Sequence, residues 1–315
     1  MSAEAAVPAP RRHRLLPLVL LLVLGCLWSL APSATKFSAL AGIAPPAVVF
    51  WQTVIAGTVL LGICLVRGDR IVLGRRHLTY WLVMGWLGIL LPNMNLVATM
   101  RDLDAGLMSV IIITSPVITY LIALAMRIER FARLRAVGIV LGFAGAAVLV
   151  LPRGSLPSPD LLPVALLAFV TPALWAAANV YAEMARPADT SPYALAMGTM
   201  YAAAAGALVV ALATGTFHPI WDGVETVDWV IAGYGLVTVA TFTLFYAVIA
   251  LAGAVYLAQV GFITTLTGLG WGALFFAERP GGWLWAALAL IFAGVACVNL
   301  GKGKAPPPRA AAPDE

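Results

Sequence analysis

Apolar residues in this chain do not alternate with polar ones. They run in long blocks separated by short polar links, and the blocks are apolar nearly all round. Ten such blocks stand at approximately 15–36, 47–66, 78–100, 105–126, 131–151, 161–182, 193–213, 227–250, 254–277 and 282–300. A helix needs about 20 apolar residues to cross the hydrocarbon core of a bilayer. A soluble core helix of that length would keep a polar face. The pattern therefore predicts an all-α polytopic membrane protein with ten transmembrane helices. Eight or nine is the next count, because the links at 100–105 and 250–254 are very short.

The blocks also repeat. Glu129-Arg130 leads into an apolar block marked by Gly138, Gly142 and Gly145, and Glu278-Arg279 leads into another marked by Gly294; the glutamates stand 149 residues apart, as do Gly145 and Gly294. Trp28 and Trp175 are 147 apart, and Trp81 and Trp229 are 148 apart. The chain divides accordingly into a segment 1–14, a first five-helix repeat 15–151, a second five-helix repeat 161–300 and a Pro- and Ala-rich tail 301–315 expected to be disordered. Five spans per half is an odd number, so the second half enters the membrane in the opposite sense. Inverted repeats of this kind underlie alternating access in secondary transporters.

Composition fixes the class. With 62% hydrophobic and 10% charged residues and a mean hydropathy of +0.96, the chain has too little polar surface to clothe a soluble globule. The net charge of +5 sits in short links, where it sets topology rather than marking a nucleic-acid surface. Arg11, Arg12 and Arg14, then Arg67, Arg70, Arg75 and Arg76, then Arg127, Arg130, Arg133 and Arg135, and finally Lys302, Lys304 and Arg309 all fall on one side of a ten-span chain. The positive-inside rule makes that side, with both termini, cytoplasmic. The first block is longer than a signal-peptide core and has a partner at 161–182, which favours an uncleaved helix. Cys26, Cys64 and Cys297 lie in separate spans and offer neither a disulfide framework nor a metal spacing.

Ten helices in two repeats, a tryptophan in the first helix of each (Trp28, Trp175), and a glutamate before a glycine-bearing fifth helix (Glu129, Glu278) resemble the EamA type of the drug/metabolite transporter superfamily over about residues 15–300. Pro116 matches the proline typical of that family's fourth helix, and Thr265 lies near the equivalent place in the second half. The resemblance implies a carrier. Where many relatives have a basic residue early in the second helix, this chain reads Phe50-Trp51-Gln52, so an anionic-substrate contact does not transfer to Gln52.

Polar and aromatic groups at membrane depth are costly unless they face the bundle interior or water. Trp28 with Pro32, and Trp175 with Asn179, are pairs one helical turn apart near mid-span, and they are the first candidates for a central substrate cavity. Packing is the alternative for either tryptophan alone. Leu91-Pro92-Asn93-Met94-Asn95 should kink the third span and free backbone groups, turning Asn93 or Asn95 inward; interhelical hydrogen bonding is the competing role. Gln259 needs a partner within its apolar block, and Tyr246 suits either a gate or an interfacial belt. Gly138-xxx-Gly142 and Gly268-xxx-Gly272 fit close packing within the bundle better than dimerisation. Glu129 and Glu278 are expected to cap or neutralise helix ends beside Arg130 and Arg279.

No ionisable residue lies near the centre of any span, since Lys36, Glu183 and Asp228 sit at ends, so a proton relay is not evident. Gly301-Lys302-Gly303-Lys304 lacks phosphate-loop spacing, no catalytic His-Glu-x-x-His or Gly-x-Ser-x-Gly occurs, and nothing calls for a cofactor or metal. The expectation is an inner-membrane carrier, monomeric or homodimeric, that exports or equilibrates a small neutral, zwitterionic or cationic amphipathic metabolite. A lipid or lipid-linked-intermediate flippase is the alternative.

Overall fold

A computed structural model describes residues 12–127, 131–150, 159–220, 225–257 and 260–300. Among these residues there are helices and no strands. We number the helical segments α1 (Leu16–Leu40), α2 (Pro45–Arg67), α3 (Arg75–Thr99), α4 (Ala105–Ala125), α5 (Arg133–Val150), α6 (Leu162–Ala185), α7 (Pro192–Ala213), α8 (Thr226–Leu257), α9 (Val260–Phe276) and α10 (Gly282–Leu300). Eight of them are long and apolar enough to cross a membrane; α9, at 17 residues, is a shorter apolar helix, and α5 packs along α10. Large apolar side chains such as Leu18, Val140, Leu212 and Leu274 remain exposed, as suits a surface against lipid.

Two boundaries differ from expectation. The predicted break at 250–254 is helical, and α8 runs on to Leu257. Ala250-Leu251-Ala252-Gly253-Ala254 holds no helix breaker except one glycine, which costs about 1 kcal/mol relative to alanine and is tolerated. The first span also continues past 36. It breaks at Ser29, after which Leu30–Leu40 carries Lys36 inside the helix rather than at its end.

Packing follows the repeat. α5 lies on α10, α2 on α7, and α4 on α9. The remaining principal contacts come in exchanged pairs: α1 on α8 and α6 on α3, α1 on α9 and α6 on α4, α2 on α8 and α7 on α3. Advancing each helix number by five therefore maps the packing onto itself. The sense of the repeat follows from α2. At its start, Trp51 Nε1 donates to the carbonyl of His218, beyond the end of α7 (2.6 Å). At its other end, the Arg67 guanidinium lies 4.8 Å from the Tyr193 ring centroid, and Ser191 Oγ donates to Asp69 Oδ2 (2.9 Å), both partners lying at the start of α7. Equivalent helices thus run antiparallel, and the second half is inverted.

The α5–α10 seam explains three of the glycines. A Cβ at Gly138 would lie 2.6 Å from the carbonyl oxygen of Gly294, and one at Gly294 would lie 2.7 Å from both Gly138 O and Gly142 N. Backbone meets backbone there, so the glycine pattern serves packing within the chain, as small residues do at close helix contacts.

Candidate functional site

The third helix carries the clearest distortion. Residues Met84–Leu90 form a π-helical turn immediately before Pro92. Proline has no N–H, so the carbonyl four residues earlier, that of Gly88, loses its α-helical donor. Trp175 of α6 takes the vacancy, its indole Nε1 donating to Gly88 O at 3.0 Å. The kink expected from the sequence is therefore present, and the backbone group it frees is occupied by a tryptophan from the opposite half. The half-buried Trp175 has its N–H engaged, and only its ring face remains for a ligand. Asn179, one turn on, is exposed.

The two amides after Pro92 point apart. Asn93 is buried and donates from Nδ2 to Ile89 O (2.8 Å) on its own helix. Asn95 donates from Nδ2 to Leu167 O and to Thr171 Oγ1, each at 2.9 Å, tying α3 to α6. Asn95 therefore supplies the interhelical bonding that the sequence left open beside substrate contact.

Trp28 occupies the equivalent place in the other half, meeting Phe245 of α8 edge to face with ring centroids 6.0 Å apart. It is 41% exposed, whereas Pro32 is buried. Between the two, one helical segment ends and the next begins at Ser29. There Ser29 Oγ donates to Cys26 O (2.8 Å) and accepts from Thr267 Oγ1 (2.8 Å) and Trp271 Nε1 (2.9 Å) of α9. Gln52, at the α2–α8 contact, is buried, with Nε2 at 3.4 Å from Thr238 Oγ1. Of the other candidates, Gln259 and the side chain of Tyr246 lie outside the described residues, as does Glu129.

Glu278 caps a helix, but not its own. Ala277 adopts a left-handed φ of 53°, which turns the chain so that the Glu278 carboxylate reaches the start of α4. It accepts from the backbone N–H groups of Ala105 (2.8 Å) and Gly106 (2.9 Å), and from Lys36 Nζ (2.6 Å). Lys36 also stands 3.4 Å from Asp104 Oδ1 and 5.1 Å from the Phe276 ring centroid. The expected capping role is therefore present, and it falls on α4 because that helix presents orphan N–H groups and the positive end of its dipole. At the opposite end of the bundle, His77 Nε2 lies 3.1 Å from Asp189 Oδ1. The Asp189 carboxyl is held below its ordinary value, first by its own backbone N–H and then by His77. Beside it a cleft of 450 Å³ opens between α3 and α6, lined by Arg75, Arg76, Thr79, Tyr181, Met184 and Ala185.

The sequence profile of the EamA-like transporter family matches residues 15–151 and again residues 162–300. The chain belongs to the EamA-like transporter family. A protein of known crystal structure, 21% identical, superposes on this EamA-like chain with a TM-score of 0.56 over 90% of the present chain and 97% of its own; at that identity the likeness speaks to the fold alone. No curated protein matches. Family and apolar helices together make this a multi-pass membrane transporter of the drug/metabolite type.

Within this EamA-like fold, Trp28 and Trp175 each lie against the third helix of the opposite half, related by the repeat. Sequence reasoning missed Ser29 and Trp271, which meet Thr267 in a network that depends on a helix break no proline at 29 announces. It also placed Lys36, Asp104 and Glu278 at one membrane face without foreseeing that they meet. Opposite charges in links on the same face were the available signal.

Proposed function

We propose that this protein is a secondary carrier of the inner membrane, with ten spans and both termini cytoplasmic, that moves a small metabolite by rocking its inverted halves around a central cavity. The observation that carries this reading is the exchange-symmetric packing, in which α1 and α6 each lean on the third and fourth helices of the other half. Such an arrangement can present one site to alternate sides. Trp28, Trp175, Asn179, Asn93, Asn95, Tyr246 and Gln259 are the proposed surroundings of that site. Trp28 and Asn179 are its best reporters, because both are exposed and Trp28 keeps ring surface free beyond its edge contact with Phe245. Gln52 stands where a basic residue would attract an anion, and the aromatic, amide lining suits a neutral, zwitterionic or cationic amphipathic solute.

The test is thermal stabilisation of the purified protein by amino acids, nucleosides, organic cations and phospholipids, with Trp28→Ala and Asn179→Ala alongside. A soluble metabolite that raises the melting temperature of the parent and of neither variant supports the carrier. Stabilisation by phospholipids alone supports a flippase. Topology has its own check: Val72→Cys and Asp222→Cys should react with an impermeant maleimide from opposite sides, and reaction from the same side would remove the ten-span arrangement.

A further inference from the structure

Lys36, in the last turns of α1, meets Asp104 and Glu278, which lie in two different links, at one end of the bundle, and of the three Glu278 alone belongs to the second half. The side chains of Lys36 and Glu278 are only 11% and 8% exposed. Among the described residues, every donor to the Glu278 carboxylate, namely Lys36 Nζ and the N–H groups of Ala105 and Gly106, comes from the first half. The carboxylate can approach this closely because Gly106 and Gly272 flank it, and a Cβ at Gly106 would lie 3.3 Å from its Oε2. The cavity left beside it is 30 Å³, room for about one water. The other end has the 450 Å³ cleft between α3 and α6.

The repeat makes the two ends comparable position by position. With the spacing that relates Trp28 to Trp175, Lys36 corresponds to Glu183, and with the spacing of the fifth helices Glu278 corresponds to Glu129. A lysine–glutamate pair at one end thus corresponds to two glutamates at the other. In sequence, the lysine of the pair is replaced by a second acidic residue.

We propose that Lys36 and Glu278, steadied by Asp104, form a one-sided ionic latch that closes the end opposite the arginine-rich links and biases the carrier toward a state open at the arginine-rich end. The inference rests on the alternating-access reading above. A buried pair of this kind acts as a switch rather than as a large source of stability, because separating it leaves Glu278 without its donors and Lys36 without its carboxylate until water reaches both. Opening at this end must therefore admit water, and ligand binding in the cavity has to offset that cost before the latch releases.

Ser33 allows a direct test. It is buried, its Oγ has no partner, and it lies about one turn from Lys36 toward the membrane interior. In a chain with Cys26, Cys64 and Cys297 replaced by alanine, Ser33→Cys reports the latched end, and in a parallel chain Thr79→Cys, in the cleft, reports the other. Impermeant maleimide should label Ser33→Cys slowly in the parent. With Glu278→Gln or Lys36→Met it should label about tenfold faster, since each 1.4 kcal/mol removed from the closed state multiplies the open population tenfold. Lys36→Arg should behave like the parent. Faster labelling at Ser33→Cys with slower labelling at Thr79→Cys supports both the latch and alternating access. Faster labelling at Ser33→Cys with Thr79→Cys unchanged supports the latch and sinks alternating access. Unchanged labelling at Ser33→Cys overturns the latch. Faster labelling at both, with a lowered melting temperature, marks unfolding; the milder Asp104→Asn, at a side chain 45% exposed, then decides by the same criteria.

Discussion

Gly294→Leu is expected to abolish accumulation of folded protein, while Gly62→Ala, also in a membrane helix, leaves it intact or slightly more stable. The difference lies in what a side chain would meet. At Gly294 the first added carbon would stand 2.7 Å from Gly138 O and Gly142 N, which are main-chain atoms of α5 and cannot rotate aside. At Gly62 nothing lies within 4 Å. Overpacking a well-packed site costs about 1–3 kcal/mol where side chains can yield. A helix pair in backbone contact must separate as a whole, so the cost should reach or exceed the top of that range. The loss extends beyond α5 and α10, because Gly145 meets Ile291 and the Ala287 carbonyl further along the same seam. Fluorescence-detected size exclusion and a melting curve in detergent would measure it. A Gly294→Leu protein that melts with the parent would mean that the seam is not as close as described.

Which two helices form that seam was not legible in the sequence, but close packing at its glycines was, because they stand at helical spacing beside two Glu-Arg pairs with a common offset. So were the repeat, its inversion and the two faces, since length, apolarity and arginine placement are one-dimensional signals of a three-dimensional constraint. The contacts between Lys36 and Glu278, and between Arg67 and Tyr193, join segments assigned to the same face by those signals alone. The site was less legible. Pro92 announced a freed carbonyl, but nothing local said that Trp175, 87 residues away, would take it. The helix through Ser29 was read as continuous, and nothing local marks the interruption there. Serine tolerates either state, and what tips the balance is Trp271 and Thr267 from the other half. Glu278 was expected to cap or neutralise a helix end and does so, but the helix it caps is α4 of the other half, which its sequence neighbours do not indicate. Local chemistry predicted the kind of partner that each group needed, and the tertiary fold chose which.

Trp175→Phe should lower stability even though it keeps an aromatic ring, and Pro92→Ala should restore much of the loss. The indole N–H is the donor that the Gly88 carbonyl receives in place of the one Pro92 cannot supply. Phenylalanine fills most of the volume but leaves a carbonyl unpaired in a non-aqueous setting, at a cost of about 1–3 kcal/mol. Alanine at position 92 returns an N–H at the α-helical position for Gly88 O, so in its presence the indole donor matters less. The two substitutions should therefore be non-additive, with a coupling of about 1 kcal/mol or more in a double-mutant cycle on melting in detergent. Transport adds a second axis. If the ring face of Trp175 contacts substrate, Trp175→Phe/Pro92→Ala regains stability and retains substrate stabilisation, because phenylalanine still offers a face. By contrast, Trp175→Ala/Pro92→Ala loses substrate stabilisation even where its folded yield recovers. If the tryptophan serves the kink alone, both double variants bind like the parent once folded. Additive losses in the cycle would remove the proline–tryptophan exchange and with it the account of why α3 is distorted where α6 crosses it.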